Sequence, residues 1–152
     1  MDAHEVRDVG ICNIPGAFIS ADMDKDTKMA LHGRLSELMV NIAPQIYRHH
    51  VIYEKVRLVL YINLNKAIYG CPISALMLYE RLVAYMRDKG FELNPYETCT
   101  ANKIIGFKKM EVCWHVDDLK VSHMYPEEAT KFMEWIVGIY GDLRITRGKV
   151  QK

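Results

Sequence analysis

Apolar residues recur at short range over Asp8 to Ile14, where Val9, Ile11, Cys12 and Ile14 read as a strand that Pro15-Gly16 bends before Ala17-Phe18-Ile19. Ser36 to Ile42 carries Leu38, Met39 and Ile42 at helical spacing and stops before Pro44, which predicts a short amphipathic helix. Val51-Ile52-Tyr53 and Val56 to Leu64, with Glu54-Lys55 between them, are rich in β-branched and aromatic residues and predict a hairpin. From Pro72 the pattern is helical, with Ile73, Leu76, Met77, Val83, Ala84 and Met86 on the predicted inner face. Glu80, Arg81, Arg87 and Asp88 mark the wet face, and Gly90 closes the helix. Thr98 to Phe107 and Met110 to Trp114 are strand candidates. Cys113 to Val116 and Leu119 to Val121 then predict two brief strands turning at Asp117-Asp118. Pro126 opens a second long helix with Glu127 and Glu128 near its start, an inner stripe of Ala129, Phe132, Met133, Ile136 and Tyr140, and Gly141 at its end. Leu143 to Thr146 begins a last strand.

This order of elements predicts an α+β fold in which two long helices pack on one face of an antiparallel sheet. If the first strand neighbours the acid hairpin, Asn13 faces Asp117 and Asp118 across the sheet. At 152 residues, half of them apolar, the chain is expected to form a single domain with its own core. A net charge of +1 supplies no global field for a nucleic acid, so any such binding needs a local patch. Cys12, Cys71, Cys99 and Cys113 form no C-x-x-C pair, are scattered through apolar stretches and are expected to be reduced, buried thiols. Met1-Asp2-Ala3-His4-Glu5 lacks a signal-peptide pattern and no apolar run is long enough to span a membrane. The expectation is therefore an intracellular protein, cytoplasmic or nuclear, with no membrane partner. Asp22-Met23-Asp24-Lys25-Asp26 begins like a calcium loop, but Thr27 and Gly33 stand where that loop needs glycine and glutamate, so it reads as a solvated loop.

Three ordered stretches carry a resemblance: Asn13-Ile14-Pro15-Gly16-Ala17-Phe18, Ile68-Tyr69-Gly70-Cys71-Pro72-Ile73, and His115-Val116-Asp117-Asp118. They resemble the palm of copia-type long-terminal-repeat retrotransposon reverse transcriptases. That family has an Asp-Val-x-x-Ala-Phe segment ending its first palm strand, a Leu-Tyr-Gly-x-x-Gln segment entering a long helix, and an x-Val-Asp-Asp hairpin. Ala21 to Asp24, Gly90-Phe91 with Asn94-Pro95-Tyr96, Ala101-Asn102-Lys103 and Thr146 to Val150 add to the likeness, which spans residues 9 to 150. The resemblance implies a polymerase-palm fold with a ferredoxin-like core, RNA-directed DNA polymerase activity, an RNA or DNA template-primer and deoxynucleotide substrates. It also implies two Mg2+ (or Mn2+) ions steadying the attacking oxygen and the leaving pyrophosphate. Asp117 and Asp118 match two of the three metal-binding acids, and position 13 matches the third. Phe18 matches the aromatic residue that excludes the ribose 2′-hydroxyl, its alternative being an ordinary core phenylalanine. Gly70 belongs to the substrate-side segment. The chain is expected to be a partial palm, with fingers, thumb and ribonuclease H segments outside it.

Two departures matter. Asn13 stands where the family has aspartate, and Ile73 where it has a glutamine that contacts nucleotide or template. An amide brings no charge. One charge pair at ~4 Å in an effective dielectric of ~20 is worth ~4 kcal/mol, and each ~1.4 kcal/mol is about tenfold in rate, so the expectation is an impaired or inactive polymerase. A first alternative is a non-catalytic nucleic-acid-binding module using Lys103, Lys108, Lys109, Lys120, Arg144, Arg147 and Lys149. A second is a metal hydrolase built on His115, Asp117, Asp118 and His123, disfavoured because no further ligands follow at zinc-like spacing.

Overall fold

The computed structural model describes residues 6–23 and 27–149, Lys149 by its backbone alone. The chain forms two compact units, one from residues 1–21 and 68–152 and the other from 22–67.

The larger unit contains a six-stranded antiparallel sheet: β1 (Asp8–Asn13), β5 (Glu92–Leu93), β6 (Thr100–Ile105), β7 (Lys108–His115), β8 (Asp118–His123) and β9 (Arg144–Lys149). Their spatial order is β5-β6-β7-β8-β1-β9. Two long helices belong to this unit, Pro72–Asp88 and Pro126–Tyr140, and each begins on its proline, where the missing N–H leaves no orphan donor. With β5 and β6 set aside as an added hairpin between the first of these helices and β7, the unit runs β1, helix, β7, β8, helix, β9 along the chain. These strands lie in the order β7-β8-β1-β9, which is the split βαβ, ferredoxin-like arrangement. The α+β expectation therefore holds.

Strand alternation decides which sheet face is covered. Cys12, Leu119, Val121, Val112, Met110 and Ala101 share one face through their pairings and are fully or almost fully buried. Leu78, Leu82 and Met86 of the first long helix, and Ala129, Phe132, Met133 and Ile136 of the second, are buried with them. The helices meet through Tyr85 and Tyr140, whose rings lie edge to face at 6.4 Å. Gly10 in the middle of β1 permits this packing, since a Cβ there would lie 2.4 Å from the Met133 Cε and 3.3 Å from a Val121 methyl. The predicted stripe of the second helix is buried apart from the half-buried Tyr140. The stripe predicted for the first is partly wrong. Ile73 and Leu76 are 42% and 54% exposed, Ala84 is exposed, and the inner positions are Ser74, Leu78, Leu82, Val83 and Met86. Ser74 accounts for the rotation: its hydroxyl, fully buried, accepts the Ile68 N–H at 3.1 Å and ties the first turn to the preceding loop.

The smaller unit is a three-stranded antiparallel sheet in the order β2-β4-β3, with β2 at Lys28–His32, β3 at Val51–Glu54 and β4 at Arg57–Asn63. It also holds helix α1 (Arg34–Ile42) and the single-turn helix α2 (Pro44–Tyr47). The two long helices are thus α3 (Pro72–Asp88) and α4 (Pro126–Tyr140). The hairpin predicted over Val51 to Leu64 is present, with Lys55-Val56 as its loop. On α1 the predicted inner residues Leu38 and Ile42 are exposed, and the buried position is Ser36, whose hydroxyl donates to the Leu31 carbonyl at 2.7 Å. Of the acidic stretch near residue 22, Asp22 is exposed and pairs with Lys66, and residues 24–26 lie outside the described residues. No helix is long and apolar enough to cross a membrane among the described residues.

Candidate functional site

β1 and β8 are neighbours, and their register sets Asn13 directly opposite Asp118. Directly paired residues of an antiparallel ladder point to the same face, so the two side chains meet: Asn13 Nδ2 donates to Asp118 Oδ1 at 2.9 Å across 105 residues of sequence. His115 pairs with Asp118 from the other side, on β7. The backbone closes the same corner, with the Ile14 N–H donating to the Asp117 carbonyl at 2.8 Å.

The hairpin turns one residue earlier than Asp117-Asp118. Its loop is Val116-Asp117, and Asp118 is already the first residue of β8. Val116 carries the strain of this turn at φ 55, a left-handed conformation that a β-branched residue rarely adopts. A positive φ at the first loop position suits the twist of the flanking strands. The one-residue shift has a chemical consequence: Asp118 sits in the ladder against Asn13, while Asp117 stands at the tip. There the Tyr69 hydroxyl donates to Asp117 Oδ2 at 3.1 Å. Partial desolvation, then this hydrogen bond and the charges of Asp117 and Asp118, hold the Tyr69 phenol above its ordinary range, so it stays a donor.

Tyr69 also links the acids to Phe18, whose ring it meets edge-on with centroids 4.4 Å apart. Phe18 is buried in the single turn of 3-10 helix Ala17–Ser20 that follows β1. Gly70 follows Tyr69 with φ 83 and nothing within 4 Å of where a Cβ would stand, so its backbone conformation accounts for the glycine. Ile73 lies exposed in the first turn of α3. The structure therefore gathers Asn13, Asp117, Asp118, Tyr69 and Phe18 into one connected set. Tyr69 is the member that sequence reasoning leaves without a role. Beneath the site Cys12 is fully buried; burial and the Asp118 charge push its thiol up to about 11 against a partly offsetting Leu119 N–H.

These residues do not fit a two-ion centre. Such a centre needs a third oxygen anion. Position 13 instead presents an amide whose N–H already occupies one Asp118 oxygen, and the Tyr69 hydroxyl occupies one Asp117 oxygen. Among the described residues no group of three or more His, Cys, Asp or Glu side chains is placed to hold a metal ion. For the hydrolase alternative, His123 sits at the far end of β8 from Asp118, about 17 Å along the strand at ~3.3 Å per residue. It is fully buried, accepts the Tyr125 N–H on Nδ1 at 3.1 Å, and turns Nε2 to the Lys108 carbonyl at 3.4 Å.

The seven cations do not form one patch. Lys120 and Arg144 lie on the open sheet face with Asn13 and Asp118, and so does Lys109, which pairs with Glu111 at 3.0 Å. Lys103 and Arg147 belong to the helix-covered side, Arg147 bonding Asp8, Thr130 and the Pro126 carbonyl. Lys108 is exposed at the start of β7, and the Lys149 side chain is outside the described residues. The chain matches no protein-family model, no curated protein and no solved structure in comparison.

Proposed function

We propose that this chain derives from the palm of a copia-type retrotransposon reverse transcriptase, an RNA-directed DNA polymerase, and that its nucleotidyl transfer is impaired because Asn13 replaces the first metal-binding acid. The observation that carries the reading is the meeting of Asn13 with Asp118 at 2.9 Å. Three separate sequence stretches that resemble the family, ending β1, entering α3 and turning β7 into β8, converge through Phe18, Tyr69 and Asp117 on that corner. The split βαβ order of the larger unit is compatible with a palm. On this reading a template-primer and a deoxynucleotide are the ancestral ligands, Mg2+ or Mn2+ the ancestral cofactor, and the cytoplasm or nucleus the place of action. Phe18 and Gly70 keep their substrate-side positions, while Ile73 offers no polar contact.

What the residues here do in place of metal binding follows from their bonds. The Asn13 amide gives Asp118 a hydrogen-bond donor where the family's acids share a cation, and the Tyr69 hydroxyl does the same for Asp117. The acid pair is thereby partly neutralised by hydrogen bonds alone. Primer extension on a homopolymer template tests the reading. We expect no Mg2+-dependent synthesis by the chain and a gain of synthesis on Asn13→Asp within a complete polymerase of this kind. Robust synthesis by the unaltered chain, or no gain in the complete context, contradicts it.

A non-catalytic nucleic-acid module is favoured by one observation: the open sheet face carries Arg144 opposite Asn13 and a shallow hollow of about 250 Å³ whose lining includes Ile11, His115, Asp118 and Lys120. Binding to a primer-template duplex that weakens steeply with salt, and less steeply in Arg144→Gln, supports this reading.

A further inference from the structure

We propose a second site, on the helix-covered side of the larger unit, that binds a small anion with a flat apolar body, of the aromatic carboxylate or sulfonate class. A cavity of about 160 Å³ opens between α4 and the β5–β6 edge of the sheet. Its floor is aromatic and apolar. Phe91 and Phe132 meet edge to face at 5.7 Å, Phe132 meets Trp135 at 5.5 Å, and Met110 is fully buried beneath them. The volume is about half the ~300 Å³ at which drug-sized pockets begin, which suits one or two rings and no more.

The rim is cationic in an unusual way. The Lys89 ammonium stands over the Trp135 ring, 5.5 Å from its centroid, and the Lys103 ammonium over the Phe91 ring at 5.6 Å. Lys103 donates to the Lys89 carbonyl, so the two cations hold each other's segments in place. Neither has a carboxylate partner among the described residues, whereas the third rim lysine, Lys131, is neutralised by Glu128. Gly90, at φ 78 after α3, makes the turn that brings the Lys89 carbonyl to Lys103 and Phe91 to the floor. Two ammonium groups held by ring faces and a carbonyl keep donors for an incoming anion. The aromatic floor takes the ring, and desolvating the ring and pairing the charge occur in the same step.

The test is titration of the full chain with 2-naphthoate and with its neutral analogue 2-naphthylmethanol, followed by indole fluorescence and by NMR of the Trp135 side chain. We expect saturable one-to-one naphthoate binding that perturbs Trp135 and is at least about tenfold tighter than binding of the alcohol. The Lys89→Gln/Lys103→Gln variant should lower naphthoate affinity to the level of the alcohol and leave the alcohol unchanged. Both lysines are at the surface, and an unchanged unfolding midpoint of the variant verifies its fold. Equal affinity for acid and alcohol, unchanged naphthoate binding by the double variant, or absence of saturable binding overturns the proposal.

Discussion

Cys12 illustrates how one buried position next to the acid pair sets a measurable property. Its thiol is pushed up from 9.0 to about 11, by burial first and by the Asp118 charge second. It should therefore resist alkylation in the folded chain at pH 8 while reacting fully in denaturant. The sign for stability follows from linkage: the raised group contributes fully below about pH 9 and loses its contribution as pH rises to about 11, so the unfolding midpoint should fall across that window. Cys12→Ala should flatten part of the fall. Tyr140, pushed up to about 12 by burial and with a buried hydroxyl that has no hydrogen-bond partner among the described residues, adds to the loss at the alkaline end. Val116 is the other informative residue. Its φ of 55 costs about 1–3 kcal/mol for a β-branched side chain, so Val116→Gly should raise stability by a fraction of that, measured by denaturant unfolding. The hairpin around Val116-Asp117-Asp118 was readable in the sequence, but the turn position was not, because two acids are better turn formers than valine and the pairing of Asp118 with Asn13 and His115 overrides that preference.

Among the elements, α4 and α3 separate what hydrophobic spacing determines from what packing adds. On α4 the apolar stripe coincides with the buried one. Ile136→Ala should cost about 2–5 kcal/mol, since the side chain is fully enclosed. On α3 the most apolar stripe is not the buried one, because Ser74 is fixed inward by the Ile68 N–H. Leu76→Ala, which spacing alone would place in the core, should change stability by no more than about 0.5 kcal/mol. Equal costs in thermal or denaturant unfolding would contradict the assigned face. β2 had no signal at all: Lys28-Met29-Ala30-Leu31-His32 holds no β-branched residue, and its strand conformation comes from pairing with β4. The two-residue β5 is too short to carry a pattern.

Across the whole molecule, the α+β class was legible because strand-like and helix-like segments alternate along the chain, while the adjacency of β1 with the acid hairpin entered only as a condition that the β1–β8 pairing meets. The separate packing of residues 22–67 was not legible, since its junctions at 21–22 and 67–68 carry no glycine-, proline- or serine-rich linker. On the proposed reading, Asn13 keeps this corner stable without metal and so impairs nucleotidyl transfer. Asn13→Asp replaces a hydrogen-bond donor to Asp118 with a third like charge, so the metal-free variant should be less stable than the unaltered chain. The most direct measurement is thermal unfolding of both proteins titrated with Mn2+. A lower midpoint is expected for Asn13→Asp without metal, with a saturable rise on adding Mn2+ to the variant at concentrations that leave the unaltered chain unmoved. A saturable rise of equal size and affinity in both proteins would contradict that reading.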